Sequence, residues 1–224
     1  MLAFMDITVR QEGSVAVITW NDGENRINRD SLARLNEILD ELQGLEGPLA
    51  IVLTGQGKFF CNGLDLERFA NQRDEFVETL HELERTIGRL LVFPAFTVAA
   101  LNGHTFAGGA LISCAFDYRV MREDRGYWCM NEAEIGFALD ERLWSILVNR
   151  LPRASAIVAA TTARRFSGPD AVSLGIIDAV ASEEDLLSHA LMVAEPLATL
   201  NRRTLAEHKW LAHGQEAGFL GFSR

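Results

Sequence analysis

The sequence predicts an α/β fold, because short buried strands alternate along the chain with amphipathic helices. Residues 15–20, 49–53, 96–101 and 117–121 are apolar or β-branched runs, and turn-forming residues flank them, as is typical of buried strands. Residues 74–91 carry charges on one side and apolar residues at helical spacing on the other, which predicts a long amphipathic helix. At 224 residues and 48% hydrophobic composition, we expect one compact domain.

A helix follows the strand at residues 15–20. Asp30 or Ser31 can provide its cap, since short polar side chains accept hydrogen bonds from the first N–H groups of a helix. Gly44 and Gly47 end this helix. Its apolar residues recur at helical spacing, at Leu32, Leu35, Ile38, Leu39 and Leu42.

Glycine also marks the later elements. Gly108 and Gly109 open a short helix of small residues between the third and fourth strands. Beyond Asp140 the pattern is mostly helical, and residues 175–180 form a short strand or an extended segment. The chain carries no internal repeat and no linker-like segment.

Composition restricts the class of partner. A formal net charge of −10 argues against a nucleic-acid-binding protein, because affinity for phosphate backbones comes largely from clustered lysine and arginine. The three cysteines are far apart and the histidines lack ligand spacing, so we expect neither a disulfide framework nor a metal site. This cysteine usage favours a reducing compartment: the cytoplasm, or the peroxisome if the chain is eukaryotic.

We expect neither a secretory signal nor a membrane span. Residues 1–10 include Asp6 and lack a long apolar run, unlike a signal peptide. Residues 90–101 form the most apolar stretch, but they are too short to cross a bilayer and include Pro94. A buried strand is therefore the better interpretation.

Two glycine-bearing segments follow predicted strands and lead into helices. They are residues 59–66 and 102–109. A helix start offers free backbone N–H groups, and two such donors that converge on one carbonyl oxygen form an oxyanion hole. Neither segment fits a P-loop, a dinucleotide-binding fingerprint or a serine nucleophile elbow.

Several motifs, in order, resemble the crotonase superfamily, also called the enoyl-CoA hydratase/isomerase family. The family's Phe-Cys-Ala-Gly-x-Asp-Leu pattern is matched by FCNGLDL at residues 60–66, and its glycine segment by NGHTFAGG at 102–109. Its Pro-Glu-x-x-x-Gly pattern is matched by NEAEIG at 131–136, and its late Ala-x-x-x-Gly segment by AVSLGIID at 171–178. An aspartate after the glycine segment corresponds to Asp117.

The resemblance implies a crotonase-like spiral of ββα units over residues 1–180. A mostly helical C-terminal region, 181–224, is then expected to pack on the core or on a neighbouring subunit. The implied assembly is a homotrimer or a dimer of trimers. No cofactor is expected to be bound permanently, because coenzyme A arrives as part of the acyl-CoA thioester substrate.

The resemblance also implies roles for individual residues. The N–H groups of Leu64 and Gly108 are the expected oxyanion donors. The loop Asn25-Arg26-Ile27 is expected to meet coenzyme A, with the Arg26 cation near the phosphates and the backbone near the adenine. Asn62 stands where a backbone carbonyl usually meets the adenine, and residues 205–211 are a further candidate for packing over it, with Lys209 near a phosphate.

The reaction within such a family depends on acidic side chains. Hydratases carry one glutamate after the glycine run and a second in the Pro-Glu segment, because adding water requires both its activation and a proton donor. Here the first position is Leu111 and the second is Glu132. A lone carboxylate suits a proton shuttle, and residues 121–132 also resemble the peroxisomal-type enoyl-CoA isomerase branch.

The expected function is therefore isomerisation of 3-enoyl-CoA to 2-enoyl-CoA, with Glu132 as the base. Alternatives are hydration, hydrolysis or decarboxylation of a coenzyme A thioester, or a non-catalytic scaffold. Glu134, Asp140 and Glu141 are competing carboxylates. If Glu132 is the base, apolar neighbours such as Leu111, Phe137 or Trp144 should raise its pKa. His104, although it lies in the glycine segment, is expected to be a turn residue.

Overall fold

The computed structural model describes residues 7–224 and contains two β-sheets. The large sheet has the order β1-β2-β3-β5-β7-β9 and the small sheet the order β4-β6-β8. β1 pairs with β2 in antiparallel fashion, and every other strand pair is parallel. The strands are β1 (Ile7–Glu12), β2 (Val15–Trp20), β3 (Ala50–Gly55), β4 (Phe59–Cys61), β5 (Phe96–Leu101), β6 (His104–Phe106), β7 (Tyr118–Arg122), β8 (Trp128–Cys129) and β9 (Ala179–Ala181).

Helices connect the parallel strands and complete the domain. Within residues 7–224, no helix combines the length and the hydropathy needed to cross a membrane. The helices are α1 (Arg29–Gly44), α2 (Leu66–Phe69), α3 (Arg73–Leu91), α4 (Gly108–Cys114), α5 (Glu132–Ile135), α6 (Glu141–Arg150), α7 (Arg153–Thr162), α8 (Gly168–Ser173), α9 (Leu186–Ala198) and α10 (Arg202–Phe219).

The two-sheet architecture explains why several of the strands are so short. Each unit contributes one strand to the large sheet and then a second, two- or three-residue strand to the small sheet: β3 is followed by β4, β5 by β6 and β7 by β8. The chain between the two strands of a unit bends sharply. Between β3 and β4, the side chain of Asn102 stabilises this bend. The Asn102 side chain accepts from the Gly55 N–H at 2.9 Å and donates to the Phe59 carbonyl at 3.3 Å.

The strands predicted at 15–20, 49–53 and 96–101 and the two long helices between them are confirmed, but the predicted start of α1 is corrected. The apolar stripe of that helix is buried as expected. Its cap, however, is Asn28 and not Asp30 or Ser31. The Asn28 side chain accepts from the Ser31 N–H, and the Ser31 hydroxyl accepts from the Asn28 N–H, both at 3.0 Å. This reciprocal pair is a capping box in which serine replaces the usual glutamate.

Other predicted elements differ in their boundaries. Residues 90–101 are not one strand, because α3 continues to Leu91 and β5 begins at Phe96. The extended segment predicted at 175–180 is instead a turn followed by β9 at Ala179–Ala181. His104 is not a turn residue but the first residue of β6. β1 and the whole small sheet were not predicted, since two- and three-residue strands leave no readable periodicity.

The C-terminal helices pack on the described core. Ala190, Ala194 and Ala198 form a small-residue face of α9 that is buried against the large sheet. Lys209 on α10 is also buried, and its ammonium lies 2.7 Å from Asp117. This ion pair corrects the prediction of Lys209 as a phosphate contact, because its charge is already matched inside the fold. The division of the chain at residue 180 stays a prediction.

Candidate active site

The two glycine segments come into contact because β4 and β6 are parallel neighbours. Phe59 pairs with His104 and Cys61 with Thr105, so the turns that follow these strands leave the small sheet at the same edge. A Cβ atom placed on Gly63 would lie 3.0 Å from the Cβ of Ala107 and 3.4 Å from the Gly108 nitrogen. A side chain at position 63 would therefore push the two turns apart.

The backbone of the first turn is hydrogen-bonded on the side that faces Ile27. The Ile27 N–H donates to the Gly63 carbonyl at 2.8 Å, and the Asp65 N–H donates to the Ile27 carbonyl at 2.9 Å. Because successive N–H groups of extended chain point in opposite directions, the Leu64 N–H faces away from Ile27. Within residues 7–224 this N–H has no hydrogen-bond acceptor.

The second turn supplies another N–H group, that of Gly108, which has no hydrogen-bond acceptor in the described part of the chain. Gly108 is the first residue of α4, and the first N–H groups of a helix have no partner within it. The preceding residue, Ala107, is the cap of α4 and adopts φ 49° and ψ −119°, a conformation that favours glycine. An alanine there stores strain of roughly 1–3 kcal/mol. Leu64 and Gly108 both line one cavity.

That cavity has a volume of about 270 Å³. Leu80 and Leu83 from α3 and Leu111 from α4 give it an apolar wall, and Phe137 and Leu143 extend this wall. Its polar lining residues are few: Arg26, Asn62, Glu67, Asn131 and Glu132. A small number of polar groups in an otherwise apolar pocket is typical of a site for an organic ligand.

Glu132 is the buried carboxylate of the cavity. It is the first residue of α5 and only 5% exposed. Its Oε2 atom is inaccessible and lacks a hydrogen-bond partner in the described chain. Burial raises the pKa of Glu132 to about 7, although its own backbone N–H acts in the opposite direction. A carboxyl group with such a pKa can both take up and release a proton near neutral pH.

The competing carboxylates do not line the cavity. Glu134 is exposed and lies 3.8 Å from Arg165. Asp140 caps α6, and its side chain accepts from the Leu143 N–H at 2.9 Å. Glu141 is exposed at the start of the same helix. Of the apolar neighbours that were expected to raise the pKa of Glu132, Leu111 and Phe137 line the cavity, whereas Trp144 does not.

Arg26 lies in the cavity wall, but carboxylates surround its charge. Its guanidinium nitrogens lie 2.8 Å from Glu24, 3.3 Å from Asp65 and 3.2 Å from Glu67. Asn62, also in the wall, donates from its amide to Glu24 at 2.8 Å. These hydrogen bonds lower the pKa of Glu24. Any phosphate that binds Arg26 must therefore displace or bypass a carboxylate.

Asn25 and Ile27 do not line the cavity. Asn25 is fully buried with φ 52°, and its amide donates to the carbonyls of Phe59 and Phe60 at 3.0 and 3.1 Å. The side chain thus ties the Asn25 turn to β4. Ile27 is buried too, and its Cδ1 would lie 2.8 Å from a Cβ atom on Gly108. Their side chains therefore support the backbone of the site and do not themselves line the cavity.

Sequence reasoning missed several residues of the cavity. Glu67 follows the first glycine turn, and Leu80 and Leu83 sit on α3, far from either motif in sequence. Asn131 was quoted only as the residue before Glu132. Its position beside the predicted base was the one signal that could have identified it.

Comparison with known proteins agrees with this geometry. A sequence profile for enoyl-CoA hydratase/isomerase matches residues 10–213. The chain belongs to the enoyl-CoA hydratase/isomerase family. Enzymes of this family act on acyl-CoA thioesters.

Individual relatives within the family carry both activity names. Enoyl-CoA delta isomerase 2 of Arabidopsis thaliana, a peroxisomal protein, is 30% identical over 203 residues, which cover 85% of this chain and 84% of the relative. The structure of a Mycobacterium tuberculosis protein, described both as an enoyl-CoA isomerase and as a probable enoyl-CoA hydratase, matches with a TM-score of 0.87 at 27% identity, covering 96% of this chain and 94% of that one. An enoyl-CoA hydratase of Mycobacterium marinum gives 0.85 at 26% identity, with the same coverage.

The raised pKa of Glu132 predicts a measurable effect on stability. Because the folded state holds this proton to about pH 7 and the group's ordinary pKa is 4.5, folding binds a proton between these values, and stability is lost as pH rises through 7. Glu132→Gln removes this loss. We expect the variant to be more stable than wild type by about 2–3 kcal/mol at pH 8, with a smaller difference at pH 5.

Urea denaturation at the two pH values measures this difference. Glu134→Gln, the same substitution at an exposed position two residues away, is the matched control and should not show it. A difference between Glu132→Gln and wild type that does not depend on pH would contradict the burial of the Glu132 charge.

Proposed function

We propose that this enzyme isomerises 3-enoyl-CoA thioesters to 2-enoyl-CoA thioesters. The observation that supports the proposal is that, within residues 7–224, one buried carboxyl group, Glu132, shares a cavity with two turns whose Leu64 and Gly108 N–H groups have no hydrogen-bond acceptor. Isomerisation needs these parts: a base that also acts as the acid, and donors for the oxygen of an enolate.

The chemistry uses the same proton twice. The Glu132 carboxylate removes a proton from C2 of the acyl group, and the electron pair of that C–H bond moves into a dienolate. The dienolate oxygen accepts hydrogen bonds from the N–H groups of Leu64 and Gly108. Neutral Glu132 then returns the proton to C4, the C2=C3 double bond forms, and the carboxylate is regenerated.

Leu111 favours this reaction over hydration. It lies in the cavity wall at the position where hydratases carry their other glutamate, and it has no proton to exchange. A hydratase needs a second acid, and Glu134, Asp140 and Glu141 lie outside the cavity lining. A non-catalytic scaffold would gain nothing from an unpartnered carboxyl group buried in its pocket, since that burial costs stability.

Coenzyme A recognition is the second part of the proposal. Arg26 and Asn62 line the same cavity as Glu132, so a thioester that enters it passes them. We infer that phosphate oxygens replace Glu67 on the Arg26 guanidinium. Glu67 is the most exposed of the three partners, at 83%, and exposed ion pairs are weak.

Glu132→Gln tests the reaction directly. The amide keeps the size and polarity of the side chain but cannot carry a proton between two carbons. We expect turnover of a 3-enoyl-CoA thioester to fall by about 10²–10⁴-fold, whereas the Kd of the thioester stays within a few-fold, as measured by calorimetry.

Wild-type enzyme that hydrates 2-enoyl-CoA faster than it isomerises 3-enoyl-CoA would overturn the isomerase assignment. Equal turnover in the Glu132→Gln variant would overturn the role of this residue. Leu111→Glu complements the test, because it restores the missing acid of a hydratase.

Gly108→Pro tests the backbone donor. Proline is accepted at the first position of a helix but has no N–H. A Cβ atom at this position meets Ile27, so Gly108→Ala is the matched control for the added bulk. We expect turnover of Gly108→Pro to be about 10²–10³-fold below that of Gly108→Ala; equal turnover in two folded variants would exclude the Gly108 N–H as a donor.

Variants of Arg26 and Glu67 test coenzyme A recognition. Arg26→Ala should weaken binding of an acyl-CoA thioester by about tenfold, as expected for the loss of one charge-assisted hydrogen bond. Glu67→Gln should strengthen it, because it removes a competing carboxylate. The free fatty acid should respond to neither change. Arg10→Ala, which breaks an exposed ion pair on β1, is the control; the same loss of affinity there would refute a specific contact at Arg26.

A further inference from the structure

Asn131 carries a second unpartnered atom of the cavity. The residue lines the cavity beside Glu132, and its Oδ1 is inaccessible to solvent and lacks a hydrogen-bond donor within residues 7–224. The Oε2 atom of Glu132 is in the same condition. Two adjacent residues thus each bury an acceptor in the wall of one cavity, and each group left unpaired is unfavourable for folding.

The local fold does not need the Asn131 side chain. Asn131 precedes α5, but its side chain makes no capping hydrogen bond. The helix start is held by the Asn131 backbone carbonyl, which accepts from the N–H groups of Glu134 and Ile135 at 3.0 and 3.1 Å. A substitution of the side chain leaves these bonds in place. The burial of Oδ1 therefore has no structural explanation within α5.

A carboxamide has a property that suits a neighbour that gains and loses a proton. It offers an acceptor on one arm and two donors on the other, and rotation by half a turn exchanges them. Neutral Glu132 has an O–H to donate, which Oδ1 can accept. Charged Glu132 is acceptor-only, and the amide nitrogen can donate to it.

We propose that Asn131 is the positioning residue for Glu132, hydrogen-bonding to its carboxyl group in both protonation states during proton transfer. This inference rests on the proposed isomerase function, in which one carboxyl group must be charged before the reaction and neutral in the middle of it. A partner that only donates hydrogen bonds would stabilise the charged carboxylate alone, and a partner that only accepts them would stabilise the neutral acid alone. The amide can hydrogen-bond to both forms of Glu132, so it stabilises the carboxyl group before and after each proton transfer.

Apart from Glu132, charged groups on α5 and on the neighbouring helices α3 and α6 that line or flank the cavity form ion pairs of their own. On α5 itself, Glu134 faces Arg165. From α3 and α6, Glu84 and Arg142 pair with each other at 3.0 Å. The shift in the pKa of Glu132 accordingly arises from burial, and on the proposal the amide of Asn131, which lines the same cavity, modulates it.

The test compares three variants of Asn131 with wild type. Asn131→Leu has nearly the same shape but no polar atom, Asn131→Ser keeps a donor and an acceptor in one hydroxyl, and Asn131→Asp adds a carboxylate. The midpoint of the Glu132 carboxyl titration is followed by carbon-13 NMR without substrate, with Glu132→Gln used to assign the signal. Turnover of a 3-enoyl-CoA thioester is measured separately.

Asn131→Leu should raise the Glu132 midpoint by about one pH unit, because hydrogen bonds to a charged group are the stronger ones. Its kcat should fall by about 10–100-fold with thioester affinity nearly unchanged. Asn131→Ser should restore most of the wild-type Glu132 midpoint and most of the wild-type kcat. Asn131→Asp should also raise the midpoint, through like-charge repulsion, and it reports on proximity even if the leucine variant folds poorly.

Unchanged midpoints in Asn131→Leu and Asn131→Asp would overturn the inference, since the side chain would then lie out of reach of Glu132. The titration does not depend on the reaction, so it separates the two proposals. Absent isomerase activity in wild type with shifted midpoints would refute the proposed function and leave the Asn131–Glu132 contact standing.

Discussion

The site depends on the parallel pairing of two three-residue strands, β4 and β6. This pairing brings one strand-to-helix turn against another, and only small residues allow the approach: a Cβ atom on Gly109 would lie 2.6 Å from the Cys61 carbonyl oxygen. The pairing is made by backbone, and the side chains of Asn25 and Asn102 anchor β4 through hydrogen bonds to its carbonyls. The two N–H groups are therefore positioned by main-chain geometry that buried amide side chains support. The large sheet and its helices provide the rigid frame on which these short strands can hold their register.

Electrostatics divides the cavity into two environments. Around Arg26, three carboxylates and an amide form a partly exposed network in which one cation has several competing partners, so partners can exchange at small cost. Around Glu132 the wall is apolar, and one carboxyl group carries the cost of burial with its pKa near 7. The first environment suits reversible binding of an anion, and the second suits chemistry on a carbon acid.

The sequence was sufficient for much of the fold and for the chemically distinctive residues. The longer strands and helices appear in the hydrophobic periodicity, and Glu132 and the glycine turns stood in ordered motifs. The small sheet could not be predicted, because β8 has two residues and its partners come from distant segments. The roles of Asn25 and Lys209 were out of reach for a related reason. Whether a polar side chain faces a ligand or a buried carbonyl is decided by packing that no local pattern records.

The strained residue of the second glycine segment, Ala107, has a consequence for how rigid the site is. An alanine at φ 49° lies above its preferred backbone conformations in energy, whereas a glycine in the same place would not. The conformation therefore persists only because the packing around the turn leaves Ala107 no room to relax. On this view the donor of the second turn is fixed before any ligand arrives, and binding need not supply the entropy of ordering it.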